Sequence, residues 1–346
     1  MRPRKRAART ATGPKGDRGR ARVIVGVDLG GTNIVVGGVA EDGTALYGLA
    51  QRRTPVAQGP DAVAHLMTSM ITACIADVRA ACGNGVEVAG VGVGAPGPLD
   101  TKRGIVFFAP NLGWRDMPLR DRIAEAVGLP ATLDNDANCA VFGEWWRGAA
   151  RGAGVVAGLT IGTGVGGGIV IDGKLFHGAS DIAGELGHTT VDLNGRRCKC
   201  GNYGCIEAYA SGPAIAARAI EGVEAGASST LPSYVDGNLA QIDAQVVYQA
   251  ANDGDEFARE VVRDTARFLG ATVANVVNML NPEVVVICGG VTLAGDQLFA
   301  PLREEVRRRA FKPAAAACRI VPGALPGTAG VYGAAATFKV QQWGSV

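Results

Sequence analysis

No uninterrupted apolar run in this 346-residue chain reaches the ~20 positions that a membrane helix needs, so nothing in the sequence reads as a membrane span. The basic N-terminus has no apolar stretch behind it, which excludes a secretory signal. No GxxxxGK[ST] run occurs, so the phosphate loop of the P-loop nucleotide folds is excluded. Charged residues make up only 19% and hydrophobic ones 47%, which argues against a disordered chain and for a globular enzyme. Linkers and low-complexity segments are missing after residue 22, and the length suits two domains with substantial cores. The net charge of +2 is unevenly spread. Residues 1–22 carry nine Lys/Arg against Asp17 alone, leaving the rest of the chain at −6. The tail reads as a disordered extension, and an acidic body speaks against a broad nucleic-acid surface.

What is there centres on residues 181–212, DIAGELGHTTVDLNGRRCKCGNYGCIEAYASG. His188, Cys198, Cys200 and Cys205 supply the three thiols and one imidazole of a tetrahedral structural zinc site. Three cysteines do not divide into disulfides, and these three stand among Lys, Arg, Gly and Asn rather than in an apolar run. Glu185 and Glu207 bracket the cluster, so a metal clip there would present both carboxylates rigidly to a ligand. The remaining cysteines, Cys74, Cys82, Cys139, Cys288 and Cys318, lie mostly in apolar segments and read as small buried hydrophobes, a usage that fits a reducing cytoplasm.

Residues 23–50 read as three short strands, VIVGVD, IVVGGVA and TALYGLA. Between the first two lies Asp28-Leu29-Gly30-Gly31-Thr32-Asn33. Its glycines let backbone N–H groups approach phosphate oxygens, Thr32 adds a hydroxyl, and Asp28 can hold Mg²⁺ or its water. A second strand–turn–strand unit spans 154–175, with Gly162, Thr163 and Gly164 at its corner. Two such loops imply a duplicated architecture with a nucleotide in the cleft. Neither lettered GxGxxG is a dinucleotide site: Gly162–Gly167 joins strand to strand, and Pro96 and Pro98 forbid a helix after Gly92–Gly97. Helical spacing covers 60–82, and further helices are expected over 213–222, 243–251, 255–280, 296–310 and 329–340. ATLD at 131–134 predicts a strand, after which Asn135-Asp136 opens a helix to about Arg147 with Asp136 as its N-cap. VVVICGGV at 284–291 predicts a buried strand ending in Gly289-Gly290, and Pro110-Asn111-Leu112-Gly113 a polar turn.

The run from Gly187 to Gly212 resembles the signature of the ROK sugar kinases and repressors, especially their bacterial ATP-dependent glucokinase members. DLGGTN and the turn at Thr163-Gly164 resemble the two phosphate motifs of the actin-like, hexokinase and chaperone ATPase superfamily, with Asn33 where many ROK members have Lys. The resemblance implies an α/β, two-domain actin-like/hexokinase (ribonuclease H-like) fold, with ATP and sugar in the interdomain cleft. A small domain would span 23–135 with the C-terminal helix, 329–346, packed back on it; a large domain, 136–328, would carry the zinc-binding loop. By the same likeness Asp136, in DNDAN, is the catalytic base. Asn111, Asn135, Asp136, Glu185, His188 and Glu207 contact the sugar. Asp28, Gly30, Gly31, Thr32, Asn33, Gly162, Thr163, Gly164, Gly289 and Gly290 surround ATP and Mg²⁺. The implied activity is phosphorylation of glucose at its 6-hydroxyl, by a cytoplasmic homodimer or homotetramer that binds neither nucleic acid nor membrane. Fructose, mannose or N-acetylmannosamine as substrate, or polyphosphate as donor, keeps the same fold; polyphosphate-using relatives tend to lack the zinc cysteines. A ROK repressor would need a helix-turn-helix ahead of the first phosphate strand, and the 22 residues there, rich in Gly, Pro and Arg, show no apolar periodicity.

Overall fold

In the computed structural model, which describes residues 21–83 and 85–346, the chain builds the same five-stranded sheet twice. The first round starts with the antiparallel meander β1 (Arg22–Leu29), β2 (Asn33–Ala40) and β3 (Leu46–Arg53). Helix α1 (Pro60–Cys82) crosses to β4 (Glu87–Ala95), which pairs parallel to β1. A small sheet of β5 (Leu99–Asp100), β6 (Ile105–Ala109) and β7 (Trp114–Met117) follows, and then α2 (Leu119–Val127) leads to β8 (Ala131–Asn135) beside β4. The strand order is β3-β2-β1-β4-β8.

Helix α3 (Asp136–Arg147) carries the chain to the second meander, β9 (Val155–Ile161), β10 (Val165–Ile171) and β11 (Lys174–Leu175). The cysteine loop and α4 (Glu207–Ala210), α5 (Gly212–Glu224), α6 (Ala244–Asp253) and α7 (Glu256–Leu280) come next. Strand β12 (Val284–Cys288) then pairs parallel to β9, and α8 (Asp296–Arg309) and α9 (Lys312–Ala317) lead to β13 (Arg319–Pro322) at its side. The order is β11-β10-β9-β12-β13, the first sheet repeated position for position. Each round ends in a helix, α3 and α10 (Ala329–Trp343). Helix α10 lies on β1 and β4 of the first sheet, α3 lies on β9 and β10 of the second, and the two pack on each other.

That crossing depends on missing side chains. A Cβ on Gly333 would stand 1.6 Å from the Cys139 carbonyl oxygen, and one on Gly143 would stand 2.1 Å from that of Ala329. Backbone-to-backbone packing of this kind places the ends of β8 and of the first meander beside the second sheet, which is what creates a cleft. Behind the first sheet α1 buries Val63, Met67, Met70, Ile71, Cys74, Ile75 and Val78. Among the described residues it is the one helix long and apolar enough, by length and composition, to span a bilayer. Its apolar face instead shares a core with Val23, Val25 and Val27 of β1.

The helix over 60–82 and the strand over 131–134 stand where spacing and composition put them. Three readings are corrected. The N-cap of α3 is Asn135, whose side chain accepts from the amides of Ala137 and Asn138, and Asp136 is the first helical residue. Cys82 is exposed, and Cys288 and Cys318 are only partly buried, so of the five remaining cysteines Cys74 and Cys139 alone are buried. Arg22, assigned to the tail, already pairs with Glu87 in the sheet. Residues 1–20 of the tail lie outside the described residues.

Candidate functional site

The C-terminal end of β8 and the turn after β1 meet under the α3–α10 crossing, and this brings two carboxylates into one small space. Asp28 is the penultimate residue of β1, and Gly330 of α10 leaves it room: a Cβ there would stand 2.3 Å from Asp28 Oδ2. Asp136 sits over Gly94 of β4, where a Cβ would come 3.4 Å from its Cα. Burial, and then the charge of Asp136, push the Asp28 carboxyl up to about 7. Burial also pushes Asp136 up to about 6; the Ala137 amide opposes this and the charge of Glu185 adds to it. A carboxylate raised toward neutral pH in a cleft is a proton acceptor matched to its task. Asn135 is fixed beside it: Oδ1 is taken by the helix cap, at 2.9 Å from the Ala137 nitrogen and 3.1 Å from that of Asn138, which leaves the Nδ2 amide as the donor for a ligand.

Two glycine corners face each other above these carboxylates. In the first, the Gly30 amide donates to the Asn33 carbonyl at 2.9 Å, and Thr54 Oγ1 donates to the Gly30 carbonyl at 2.8 Å. In the second, the Gly162 amide donates to the Gly164 carbonyl at 2.9 Å, tightening the β9–β10 turn. Thr32 Oγ1 and Thr163 Oγ1 are 3.5 Å apart, so the two corners touch through their hydroxyls. Around the second corner, the Gly212 amide at the start of α5 donates to the Gly162 carbonyl at 2.8 Å. Gly289, with φ +100°, lies against the end of β9, where a Cβ would stand 2.0 Å from the Ile161 carbonyl oxygen. Gly290 opens on free space. Asn111, in the short turn Pro110–Leu112, lies over the first corner, with Nδ2 4.0 Å from where a Gly31 Cβ would be.

The opposite wall is the cysteine loop. His188, Cys198, Cys200 and Cys205 converge so that one donor atom from each lies within 4.8 Å of the others. His188 Nδ1 is 3.8 Å from Cys198 Sγ, and Cys200 Sγ is 3.7 Å from Cys205 Sγ. Burial pushes the Cys198 thiol up to about 12, which favours its neutral form when no cation is beside it. The other imidazole nitrogen, Nε2, points away from the cysteines, 4.0 Å from Glu185 Oε2. Glu207 is less free than its place in the sequence suggests. Its Oε2 accepts from the Val165 amide at 3.0 Å, tying the second corner to the cysteine loop, and Oε1 lies 3.6 Å from Cys198 Sγ. Glu185, raised by burial, joins Asp28 and Asp136 in a line of carboxylates from the glycine corners to the histidine.

Residues 24–341 match the ROK family. The chain belongs to the ROK family. It is 40% identical to the glucokinase of Thermotoga maritima over 317 residues, which is 91% of this chain and 97% of that one. It is 38% identical to the glucokinase of Halalkalibacterium halodurans, over 93% of this chain and 96% of that one. Its fold matches a ROK family glucokinase from Streptomyces griseus, solved in complex with glucose and AMPPNP, at a TM-score of 0.77 and 36% identity, covering 90% and 98% of the two chains. The twice-built sheet and crossed helices are therefore the two-domain, hexokinase-like fold of this family.

This ROK chain also carries cleft residues that the sequence did not single out. Asp134, 1% exposed, accepts from His177 Nε2 at 2.9 Å. Asp181 Oδ2 accepts from both the amide and the hydroxyl of Thr101, each at 2.9 Å. Asp134 was in view as part of the strand ATLD; nothing in local spacing ties it to a histidine 43 positions on.

Proposed function

We propose that this ROK protein is a glucokinase that transfers the γ-phosphoryl group of ATP to the 6-hydroxyl of glucose. The observation that carries the reading is the line Asp28–Asp136–Glu185, running from the two touching glycine corners to the histidine of the cysteine loop. The glucokinases it resembles over nearly their whole length support the reading, and so does the relative solved with glucose and an ATP analogue.

Phosphoryl transfer leaves the protein mostly positioning and charge stabilisation. Asp136 accepts the proton of the 6-hydroxyl and aims its oxygen at the phosphorus. Asn135 donates its Nδ2 to a neighbouring hydroxyl, while Glu185 and His188 Nε2 hold others. Asn111 closes the space from the first domain. Glu207 touches the sugar with what its bonds to Val165 and Cys198 leave free, and those bonds hold the second corner still. Backbone amides at Gly30, Gly31, Thr32 and Asn33 and at Gly162, Thr163 and Gly164 cradle the phosphates, and Gly289 and Gly290 allow the adenosine to approach. Asp28 suits Mg²⁺, which when bound neutralises charge on the phosphates. Burial holds its carboxyl near 7 and so disfavours the ionised form, which a bound cation would restore. The cysteine cluster suits a structural zinc: four ligands of the right kind meet, and none of the four positions is left for water. A cytoplasmic homodimer or homotetramer, with 23–135 and 329–346 as one lobe and 136–328 as the other, completes the proposal.

A panel of hexoses and donors tests it. Initial rates with glucose, mannose, fructose and N-acetylmannosamine, each with ATP–Mg²⁺ and with polyphosphate, are expected to be highest for glucose with ATP. A preference for another hexose corrects the substrate, and turnover only with polyphosphate corrects the donor. No turnover with any pair overturns the kinase reading.

A further inference from the structure

The segment that follows β11 returns to the first half of the chain before it reaches the proposed sugar wall, and it is fastened at two points, one on β8 of the first sheet and one in the turn after β5 of the small sheet. From this we infer that His177 is a positioning residue for Asn135 and Asp136, held in place by a clasp closed through Asp181; the inference rests on the glucokinase reading.

The first fastening is His177 Nε2 on Asp134 Oδ2, at 2.9 Å. Asp134 belongs to β8, opposite Gly94 of β4, and is all but sealed from solvent. Its other oxygen, Oδ1, accepts from the Asn135 amide at 2.8 Å and from Asn138 Nδ2 at 3.2 Å. One carboxylate thus holds the backbone of the residue that caps α3 and a side chain of the first helical turn. Asp136 stands between them. With Oδ2 held by the imidazole, the carboxylate cannot turn about its Cβ–Cγ bond, and Oδ1 stays aimed at the turn. Remove the imidazole, and a buried carboxylate is left with one oxygen unpartnered, a state that favours rotation or water entry.

The second fastening is Asp181, whose Oδ2 takes both the amide and the hydroxyl of Thr101, in the turn after β5. Asp181 has φ +60°, a left-handed conformation that a side chain tolerates at some cost, which the double acceptance offsets. The Ala183 amide donates to the His177 carbonyl at 3.1 Å, closing 177–183 into a ring between the two anchors. Glu185 and His188 follow directly. The same clasp therefore sets both the strand end that presents Asp136 and the start of the wall that faces it. It joins the proposed proton acceptor to the residues proposed to hold the sugar, across the cleft.

The test compares His177→Ala, His177→Gln and Asp181→Ala with wild type, reading kcat, KM for glucose, KM for ATP and Tm. His177→Ala is expected to lower kcat roughly tenfold or more, the scale on which a misplaced reacting group acts, with the KM for ATP unchanged. His177→Gln, whose amide still donates to Asp134, recovers most of that loss. Asp181→Ala leaves Asp134 untouched and is expected to raise the KM for glucose severalfold. Wild-type kcat in His177→Ala, or losses in the Ala and Gln variants that are equal and follow Tm, overturn the positioning role while the glucokinase reading stands. A wild-type chain that turns over no glucose overturns both.

Discussion

Asp136 is poised rather than simply charged. Its carboxyl is held at about 6 by burial, with Glu185 adding to the shift, and a base acts only when ionised. The sign follows: as pH falls through about 6 the acceptor fills with a proton, so kcat/KM for glucose should fall about tenfold per unit below it and level off above it. A profile flat down to pH 5 contradicts this assignment. Local spacing put the cap at Asp136, although Asn, the type at 135, caps a helix as well as Asp does. The structure gives the cap to Asn135; Asp136 Oδ1 still takes the Ala137 amide at 2.8 Å, which leaves Oδ2 for the cleft. The convergence of His188, Cys198, Cys200 and Cys205, the proposed zinc ligands, was legible because their residue types carry the chemistry wherever the loop goes. Among them Cys200 is exposed, so Cys200→Ser removes a ligand without opening a cavity. Bound zinc measured by mass spectrometry should fall below one per chain in that variant, and the KM for glucose should rise as Glu185 and His188 lose their support. Full zinc content in Cys200→Ser would dissolve the assigned ligand set.

At the level of elements, the meanders were legible and the helix crossing was not. Strand–glycine–strand patterns declare themselves by alternation and turn residues, so both glycine corners could be read. The α3–α10 contact rests on glycines that meet carbonyls from the other helix nearly 200 positions away, a relation no local pattern contains. Strand β13 is four residues long and ends in Pro322, too little to signal a strand. The crossing makes its own prediction. Gly333→Ala puts a methyl group where the Cys139 carbonyl oxygen now stands, so the helices must part. A loss of roughly 3 kcal/mol is expected, as for an overpacked core. Thermal unfolding reads it, and an unchanged Tm would mean the two helices are not locked backbone to backbone.

For the whole molecule, the repeated sheet gives two similar halves joined by one crossed pair of helices, with the proposed ligands between them. Thr32 and Thr163 already touch across the gap, and the 177–183 clasp reaches from one side to the other. Such a cleft excludes water best by closing, which protects ATP from hydrolysis. Solution scattering should therefore show a smaller radius of gyration with glucose than without, and identical profiles would remove closure from the account. The most direct test of the central claim is phosphorylation of glucose by wild type and by Asp136→Asn, with glucose affinity measured on both. The account predicts that wild type forms glucose 6-phosphate from ATP–Mg²⁺, and that the variant loses roughly 10²–10⁴-fold in kcat while still binding glucose. A variant that keeps wild-type turnover would contradict it.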